Sequence, residues 1–170
     1  MRLVLAVAAV ILAGTGPACA TLGQLGQLAQ LVQPPLFERI PDRPAEIRLL
    51  SPAIDHPLGG AEIRLWTKVS NPNAFGFTLS TLRGTLFLDD ARTTTVDLPL
   101  GLPLSPRGET MLPIDLALSF AELPGLRDVV LRALRHEPIV YRLDGTVGVD
   151  AGRFGTPEFG PMTLLRGSFN

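Results

Sequence analysis

The sequence predicts an all-β fold: an antiparallel β-sandwich of about seven strands, of the immunoglobulin or fibronectin-III kind, with one short helix between the last strands. Three observations lead to this prediction. Apolar and polar residues alternate with a period of two along several segments. Clusters of Gly, Pro, Asn and Asp separate these segments at short intervals. One segment has helical spacing instead.

Two segments alternate most clearly. In residues 61–69, one face carries Ile63, Leu65, Thr67 and Val69, and Trp66 lies on the other face with charged residues, as in a half-buried antiparallel strand. Residues 110–120 alternate in the same way, with Pro113 on the outer face. Because proline cannot donate to a β-ladder, we expect residues 110–120 to form an edge strand or to contain a bulge.

Five further segments complete the predicted sandwich. Residues 139–149 alternate regularly, and residues 77–90 do so if a bulge near Ser80 and Thr81 corrects the phase. The weaker candidates are residues 47–54, 93–100 and 159–165.

One helix is predicted before the last strands. Apolar residues recur with helical spacing from Leu123 to Leu134, arginines occupy the opposite side, and Pro138 ends the run. The arginines cluster toward the C-terminal end, where they complement the helix dipole. We expect this helix to plug one end of the sandwich.

The lone cysteine, Cys19, follows an apolar run from Leu3 to Ala13 and a stretch of small residues. This order is typical of a bacterial export signal. It also resembles the lipobox of bacterial lipoproteins, in which the cysteine thiol receives a diacylglyceryl group and then becomes the new N-terminus. Acyl chains on Cys19 would hold the protein on a membrane. The predicted domains are a signal peptide at 1–18, a lipidated N-terminus and tether at 19–44, and the sandwich domain at 45–170.

The position of Cys19 predicts a lipid-anchored protein of the bacterial cell envelope. Ala20 stands where an Asp commonly retains lipoproteins at the inner membrane, so we expect the outer membrane, facing the periplasm. Alternatively, cleavage at Ala20 by ordinary signal peptidase would release a soluble periplasmic or secreted protein that starts at Thr21. A buried structural cysteine and an uncleaved transmembrane helix fit the sequence less well.

The segment that follows is rich in Gln, Leu and Pro. Leucines recur in residues 21–32 at roughly helical spacing until Pro34 and Pro35 break the pattern. We interpret this segment as a tether with one short amphipathic helix that ends in an extended stretch. A helix packed on the domain is the alternative.

Composition narrows the classes of function. The 170 residues include 15 Lys and Arg and 16 Asp and Glu, for a formal net charge of −1, so we expect no nucleic-acid partner. An apolar fraction of 46% with 18% charged residues predicts a folded chain rather than a disordered one.

The sequence offers little for catalysis or metal binding. His56 lies in a Pro- and Gly-containing turn and His136 closes the predicted helix, and two histidines in separate contexts do not make a metal site. Asp89 and Asp90 lack the spacing of a calcium loop and instead predict a hairpin turn. No nucleophile elbow, phosphate loop or dinucleotide motif occurs. We therefore predict a protein that is not an enzyme and has no catalytic residue, no metal and no cofactor.

Two features remain as candidate sites. The corner Asn71-Pro72-Asn73 follows the strand at 61–69. Its proline fixes its own φ and keeps the preceding residue out of the helical region, while asparagine side chains bond to nearby backbone groups. We favour a structural turn over a ligand site. Trp66 could anchor an interaction, or it could contact a neighbouring loop or the tether.

Four motifs occur in a characteristic order: Val69-Ser70-Asn71-Pro72-Asn73-Ala74-Phe75; Leu79 to Asp89 with its turn; Pro106-Arg107-Gly108-Glu109-Thr110 before a long strand; and Val140-Tyr141-Arg142-Leu143-Asp144-Gly145-Thr146-Val147. Together they resemble the late embryogenesis abundant (LEA) type 2 family, also called the water stress and hypersensitive response (WHy) domain, in its bacterial lipoprotein form. The resemblance covers roughly residues 45–167.

The resemblance implies a non-enzymatic protein associated with protection against desiccation and stress, with membranes or proteins as its clients. The alternative is an envelope assembly module that binds a partner through an edge strand or through Trp66. A hydrolase on a sandwich fold is the least favoured function, because the sequence lacks a suitable base.

Overall fold

A computed structural model describes residues 31–54, 57–121 and 125–169, which form two antiparallel sheets around one core, as predicted. The strands are β1 (Leu36–Arg39), β2 (Glu46–Leu50), β3 (Gly60–Ser70), β4 (Phe77–Leu88), β5 (Ala91–Leu104), β6 (Glu109–Ser119), β7 (Ile139–Asp150) and β8 (Glu158–Phe169). One α-helix, α1 (Leu126–Leu134), lies between β6 and β7, and a 3-10 turn (Gly152–Phe154) precedes β8.

Strand β3 is the centre of the first sheet. On one side it pairs along its whole length with β6, from Gly60 opposite Ser119 to Ser70 opposite Glu109. On the other side β2 pairs with the first half of β3, and β1 pairs with its last four residues. Every second side chain along β3 is buried, which confirms the alternation predicted for residues 61–69.

The second sheet has the strand order β5-β4-β7-β8. The register of β4 shifts between Leu79 and Thr81 against both of its neighbours, which confirms the bulge predicted near Ser80 and Thr81. The shift keeps Leu79 and Leu82 on the same, buried face of the sheet.

Aliphatic side chains from both sheets fill the interior. Fully buried residues include Ile63, Leu65 and Ile114 of the first sheet and Leu79, Leu82, Leu86, Leu143 and Val147 of the second. The buried polar side chains of the described residues are Thr67, Asn71 and Asn73, and no buried side-chain nitrogen or oxygen among these residues lacks a hydrogen-bond partner. The buried polar side chains described therefore lie in one short stretch, residues 67–73, at the end of β3.

The two ends of the sandwich differ. The corner end holds the β3–β4 connection, the β5–β6 turn and the 3-10 turn. The helix end, opposite, holds α1, the β2–β3 loop and the β4–β5 hairpin. Helix α1 contacts β2 and β7 and buries Leu126, Val130 and Ala133. Its position between β6 and β7 agrees with the prediction that a short helix closes one end.

The structure corrects the predicted boundary between tether and domain at residue 45. Strand β1 lies inside the segment 19–44, yet it pairs with β3, and Val32 before it is only 4% exposed. Eight strands are therefore described, one more than the sequence indicated. Four residues are too few to show a period, and they follow Pro34 and Pro35, which signal a break. Residues 1–30, with the predicted signal peptide and short helix, lie outside the described residues.

Prolines occupy free edges of both sheets. Pro113 lies opposite Trp66 on β6, which in the described part of the chain pairs with β3 alone, and this confirms the predicted edge strand. Pro99 and Pro103 lie on β5, the edge of the second sheet. Because proline has no N–H, these edges offer fewer donors to a further strand. Proline tolerance at an edge also explains why β5 has 14 residues and extends past the predicted 93–100.

Candidate functional site

The Asn71-Pro72-Asn73 corner joins β3 to β4. Asn71 and Asn73 are 2% and 4% exposed, whereas Pro72 is half-buried. Buried amide side chains are tolerated only when protein hydrogen bonds replace those made to water. The stability of the corner therefore depends on the partners of these two side chains.

The side chain of Asn71 ties the corner to the β5–β6 turn. Its Nδ2 donates to the carbonyl oxygens of Phe75 at 2.8 Å and of Ser105 at 2.9 Å. Its Oδ1 accepts from the backbone amide of Asn73 at 2.9 Å and from Asn73 Nδ2 at 3.0 Å. Both N–H groups of Asn71 and both lone pairs of its carbonyl oxygen are thus in use.

Backbone hydrogen bonds strengthen the same junction. The amide of Asn71 donates to the carbonyl of Gly108 at 2.8 Å, and the amide of Arg107 donates to the carbonyl of Asn73 at 3.0 Å. Within the β5–β6 turn, the amide of Gly108 donates to the carbonyl of Ser105 at 3.0 Å. The corner and the β5–β6 turn therefore form one hydrogen-bonded unit.

Asn73 binds a segment that is distant in sequence. Its Oδ1 accepts from the backbone amide of Gln33 at 2.8 Å, and its Nδ2 donates to the carbonyl of Gln33 at 3.0 Å. One side-chain amide thus satisfies both backbone groups of one residue, as a neighbouring strand would. Gln33 was not among the predicted site residues, because a backbone partner forty positions away leaves no local pattern.

Two aromatic rings add a third attachment at the corner end. Phe75, two residues after the corner, stacks on Phe154 of the 3-10 turn with ring centres 4.3 Å apart and planes inclined by 27°. The guanidinium of Arg153 lies 4.9 Å from the Phe154 ring centre. Stacking of this kind stabilises beyond the apolar area it buries, so the β7–β8 connection is also fixed to the corner.

The corner lies within a region that is shared with known proteins. Residues 67–163 match the family model described as late embryogenesis abundant protein. The chain belongs to the LEA type 2 family. The resemblance drawn from the motifs is thereby confirmed, while the lipoprotein form stays a prediction. Family membership makes this chain an LEA-like, stress-related protein, and the family is generally non-enzymatic.

The chain is similar to several solved structures. A solution structure from Arabidopsis thaliana has a TM-score of 0.55 at 15% identity and covers 81% of this chain and 82% of its own. The solution structure of a proposed LEA protein has a TM-score of 0.49 at 15% identity, covering 86% of this chain and 76% of its own. A crystal structure of a protein from Archaeoglobus fulgidus has a TM-score of 0.44 at 19% identity, and the match covers 75% of this chain and 94% of that chain. No curated protein matches the chain.

Trp66 of this LEA type 2 protein lies on the outer face of β3 and is half-buried. Its Nε1 donates to Glu46 Oε1 at 3.2 Å, and the guanidinium of Arg43 lies 4.5 Å from the ring centre. Arg43 belongs to the loop between β1 and β2. Trp66 therefore contacts a neighbouring loop, one of the two alternatives for it, and its use as a partner anchor stays a prediction.

Ion pairs cross the outer face of the first sheet. Arg64 Nε lies 2.6 Å from Asp115 Oδ1, and Lys68 Nζ lies 2.7 Å from Glu38 and 3.2 Å from Glu109. The hydrogen bond from Arg64 lowers the pKa of Asp115 below its usual value. The carboxylates of Glu38 and then Glu109 raise the pKa of Lys68. Neighbouring strands thus neutralise each other's charges on this face.

The remaining candidates for chemistry serve the fold. His136 has φ +61°, and its amide donates to the carbonyl of Ala133 at 3.0 Å, so it closes α1 in the left-handed conformation common at helix ends. Asp89 and Asp90 have φ values of +46° and +61° and form the predicted hairpin turn. Asp89 also pairs with Arg132 of α1 at 3.2 Å.

The described segments contain no candidate metal site and no candidate membrane-spanning helix. Within residues 31–54, 57–121 and 125–169, no three side chains of His, Cys, Asp or Glu gather as a metal ion would require. No helix in these segments has both the length and the apolar composition to span a bilayer. Cys19 and His56 lie outside them.

Replacing Asn71 tests the corner. We expect Asn71→Ala to lower the free energy of unfolding by about 3 kcal/mol, because it removes four hydrogen bonds and takes the partner from the backbone amide of Asn73, from one N–H of Asn73 Nδ2 and from the carbonyl of Phe75. Urea unfolding followed by circular dichroism measures the change. Pro72→Ala is the matched control and should cost less than about 1 kcal/mol, since it removes no hydrogen bond. Equal losses in the two variants would contradict the role assigned to Asn71.

Proposed function

We propose that this LEA type 2 protein is a non-enzymatic, lipid-anchored protein of the cell envelope that protects membranes or proteins during desiccation or related stress. The folded surface would protect these membranes or proteins by contacting them directly. The composition of the interior supports the proposal most. The core is aliphatic. The buried polar side chains described in it are Thr67, Asn71 and Asn73, and their hydrogen bonds hold the fold.

The surface depressions support a role without catalysis. The most enclosed of those described has a volume of about 360 Å³ and is lined by Glu46, Ile47, Arg48, Glu62 and Arg64. Its charged groups already have partners, because Arg48 pairs with Glu62 and Arg64 with Asp115. A general acid or base needs a free reacting atom and a pKa near the working pH, whereas the hydrogen bond to Asp115 raises the pKa of Arg64 and so moves it further from neutrality.

The helix end offers a surface for clients. It exposes large apolar side chains beside charged ones: Leu49, Ile54, Leu58, Leu134 and Val140. Arg127 of α1 and Arg135, directly after the helix, are also exposed there. Apolar side chains rimmed by charged ones mark many contact surfaces. A folded domain can present such a surface persistently, which the disordered proteins that share the LEA name cannot.

The position of the N-terminal segment supports the proposed anchor. Leu31 is the first described residue, and the hydrogen bonds of Gln33 place this segment at the corner end. A lipid on Cys19 would therefore hold the corner end toward the membrane and turn the helix end toward the periplasm. The outer membrane is the proposed location; release as a soluble periplasmic protein after cleavage at Ala20 is the alternative.

A drying assay tests the protective role. Lactate dehydrogenase dried and rehydrated with the purified protein should retain clearly more activity than with an equal mass of albumin. The triple variant Ile54→Ser, Leu58→Ser, Leu134→Ser should lose most of this effect, because it removes apolar contacts from the helix end. The control variant Leu36→Ser, Met111→Ser alters exposed apolar residues away from that end and should protect normally. Protection no better than that given by albumin would end the proposal.

Mass spectrometry of the native N-terminal peptide tests the anchor. We expect the mature chain to begin at Cys19 and to carry diacylglyceryl and amide-linked acyl groups, with the protein in the membrane fraction. The variant Cys19→Ser should accumulate uncleaved or leave the membrane fraction, because it lacks the thiol that receives the lipid. An unmodified N-terminus at Thr21 would contradict lipidation and establish the soluble form.

A further inference from the structure

Two of the three buried polar side chains of the described residues bind the N-terminal segment, and the third orients one of them. Thr67 Oγ1 donates to the carbonyl of Glu38 in β1 at 3.1 Å. Asn73 holds both backbone groups of Gln33, and Asn71 Oδ1 accepts from Asn73 Nδ2 and so fixes the orientation of the Asn73 side chain. Thr67 and Asn73 thus fasten one segment, residues 31–39, to the sandwich.

That segment is attached more weakly than the rest of the fold. Strand β1 has four residues and pairs only with the end of β3, so β3 keeps β6 and β2 as partners when β1 leaves. Leu31 and Leu36 are 62% and 51% exposed. Short segments with few buried side chains open locally at a lower free energy than the whole domain.

We propose that residues 31–39 form a releasable strap, fastened by Asn73 at one point and by Thr67 at a second. While both fastenings hold, the tether between the membrane and the folded domain ends at residue 31. When these two fastenings, the β1–β3 pairing and the contact of Arg43 with Trp66 release together, the chain is free as far as β2, which begins at Glu46.

The strap would set the maximum distance between the sandwich domain and the membrane. This consequence rests on the proposed lipid on Cys19. Twelve residue steps separate Cys19 from Leu31, which span at most about 40 Å, because an extended chain advances about 3.5 Å per residue. Release up to β2 adds fifteen residues, or up to about 50 Å more. The strap would thus convert a short tether into a long one without unfolding the sandwich.

Hydrogen exchange measured by mass spectrometry on the purified full-length protein tests the strap. In the wild type, amides of residues 36–39 should exchange faster than those in the centres of β4 and β7. Gln33→Pro removes the backbone donor to Asn73 and should speed exchange at 36–39 by at least about tenfold, as expected for the loss of a buried hydrogen bond. Gln33→Ala keeps that donor and should behave as the wild type.

Two further variants test the fastenings from the sandwich side. Asn73→Ala and Thr67→Val should each accelerate exchange at 36–39 by at least about tenfold. Leu82→Ala, in the core, should instead accelerate exchange in β4 and β7 and leave 36–39 within about twofold of the wild type, because the strap opens without unfolding the core. Unchanged exchange at 36–39 in the strap variants, equal acceleration of 36–39 and of β4 and β7 in Leu82→Ala, or equal effects of Gln33→Pro and Gln33→Ala would each overturn the proposal. The measurement involves neither lipid nor client, so its failure would leave the anchor and the protective function standing.

Discussion

The hydrogen bonds of two buried amide side chains, Asn71 and Asn73, are the constraint on which the rest of the structure depends. A buried donor or acceptor left without a partner costs about 1–3 kcal/mol, so each segment that supplies a partner is held in place. These segments are the corner itself, the β5–β6 turn and the N-terminal strap. Since β3 and β6 belong to one sheet and β4 and β5 to the other, the same bonds fix one sheet against the other.

This use of polar groups bears directly on function. The amides that an enzyme or a receptor would direct toward a ligand are directed here toward the protein's own backbone. Carboxylates and guanidinium groups on the first sheet neutralise one another across strands. What remains for contact is the surface, above all the helix end with its exposed leucine and isoleucine side chains. A filled interior and a contact surface suit a protective member of the LEA type 2 family better than they suit a catalyst.

Sequence patterns predicted the fold where the determinants are local. Alternation revealed β3 and β6, the phase change at Leu79 and Thr81 revealed a bulge, and paired aspartates revealed a hairpin turn. Turn chemistry also predicted that the Asn-Pro-Asn corner is structural. Strand β1 was missed because four residues behind two prolines show no period, and because the bonds that hold them come from Asn73 and Thr67, far along the chain. Long-range pairing of a backbone with a side-chain amide leaves no trace in a local pattern.

Nuclear magnetic resonance of the side-chain amides of Asn71 and Asn73 tests this account most directly. If the corner organises the fold, all four of these amide protons should be protected from exchange with solvent. A coupling across the hydrogen bond should also join Asn73 Nδ2 to the carbonyl carbon of Gln33. Side-chain amide protons that exchange as fast as those of an exposed asparagine, with no coupling to Gln33, would show that the sandwich is held together by other means.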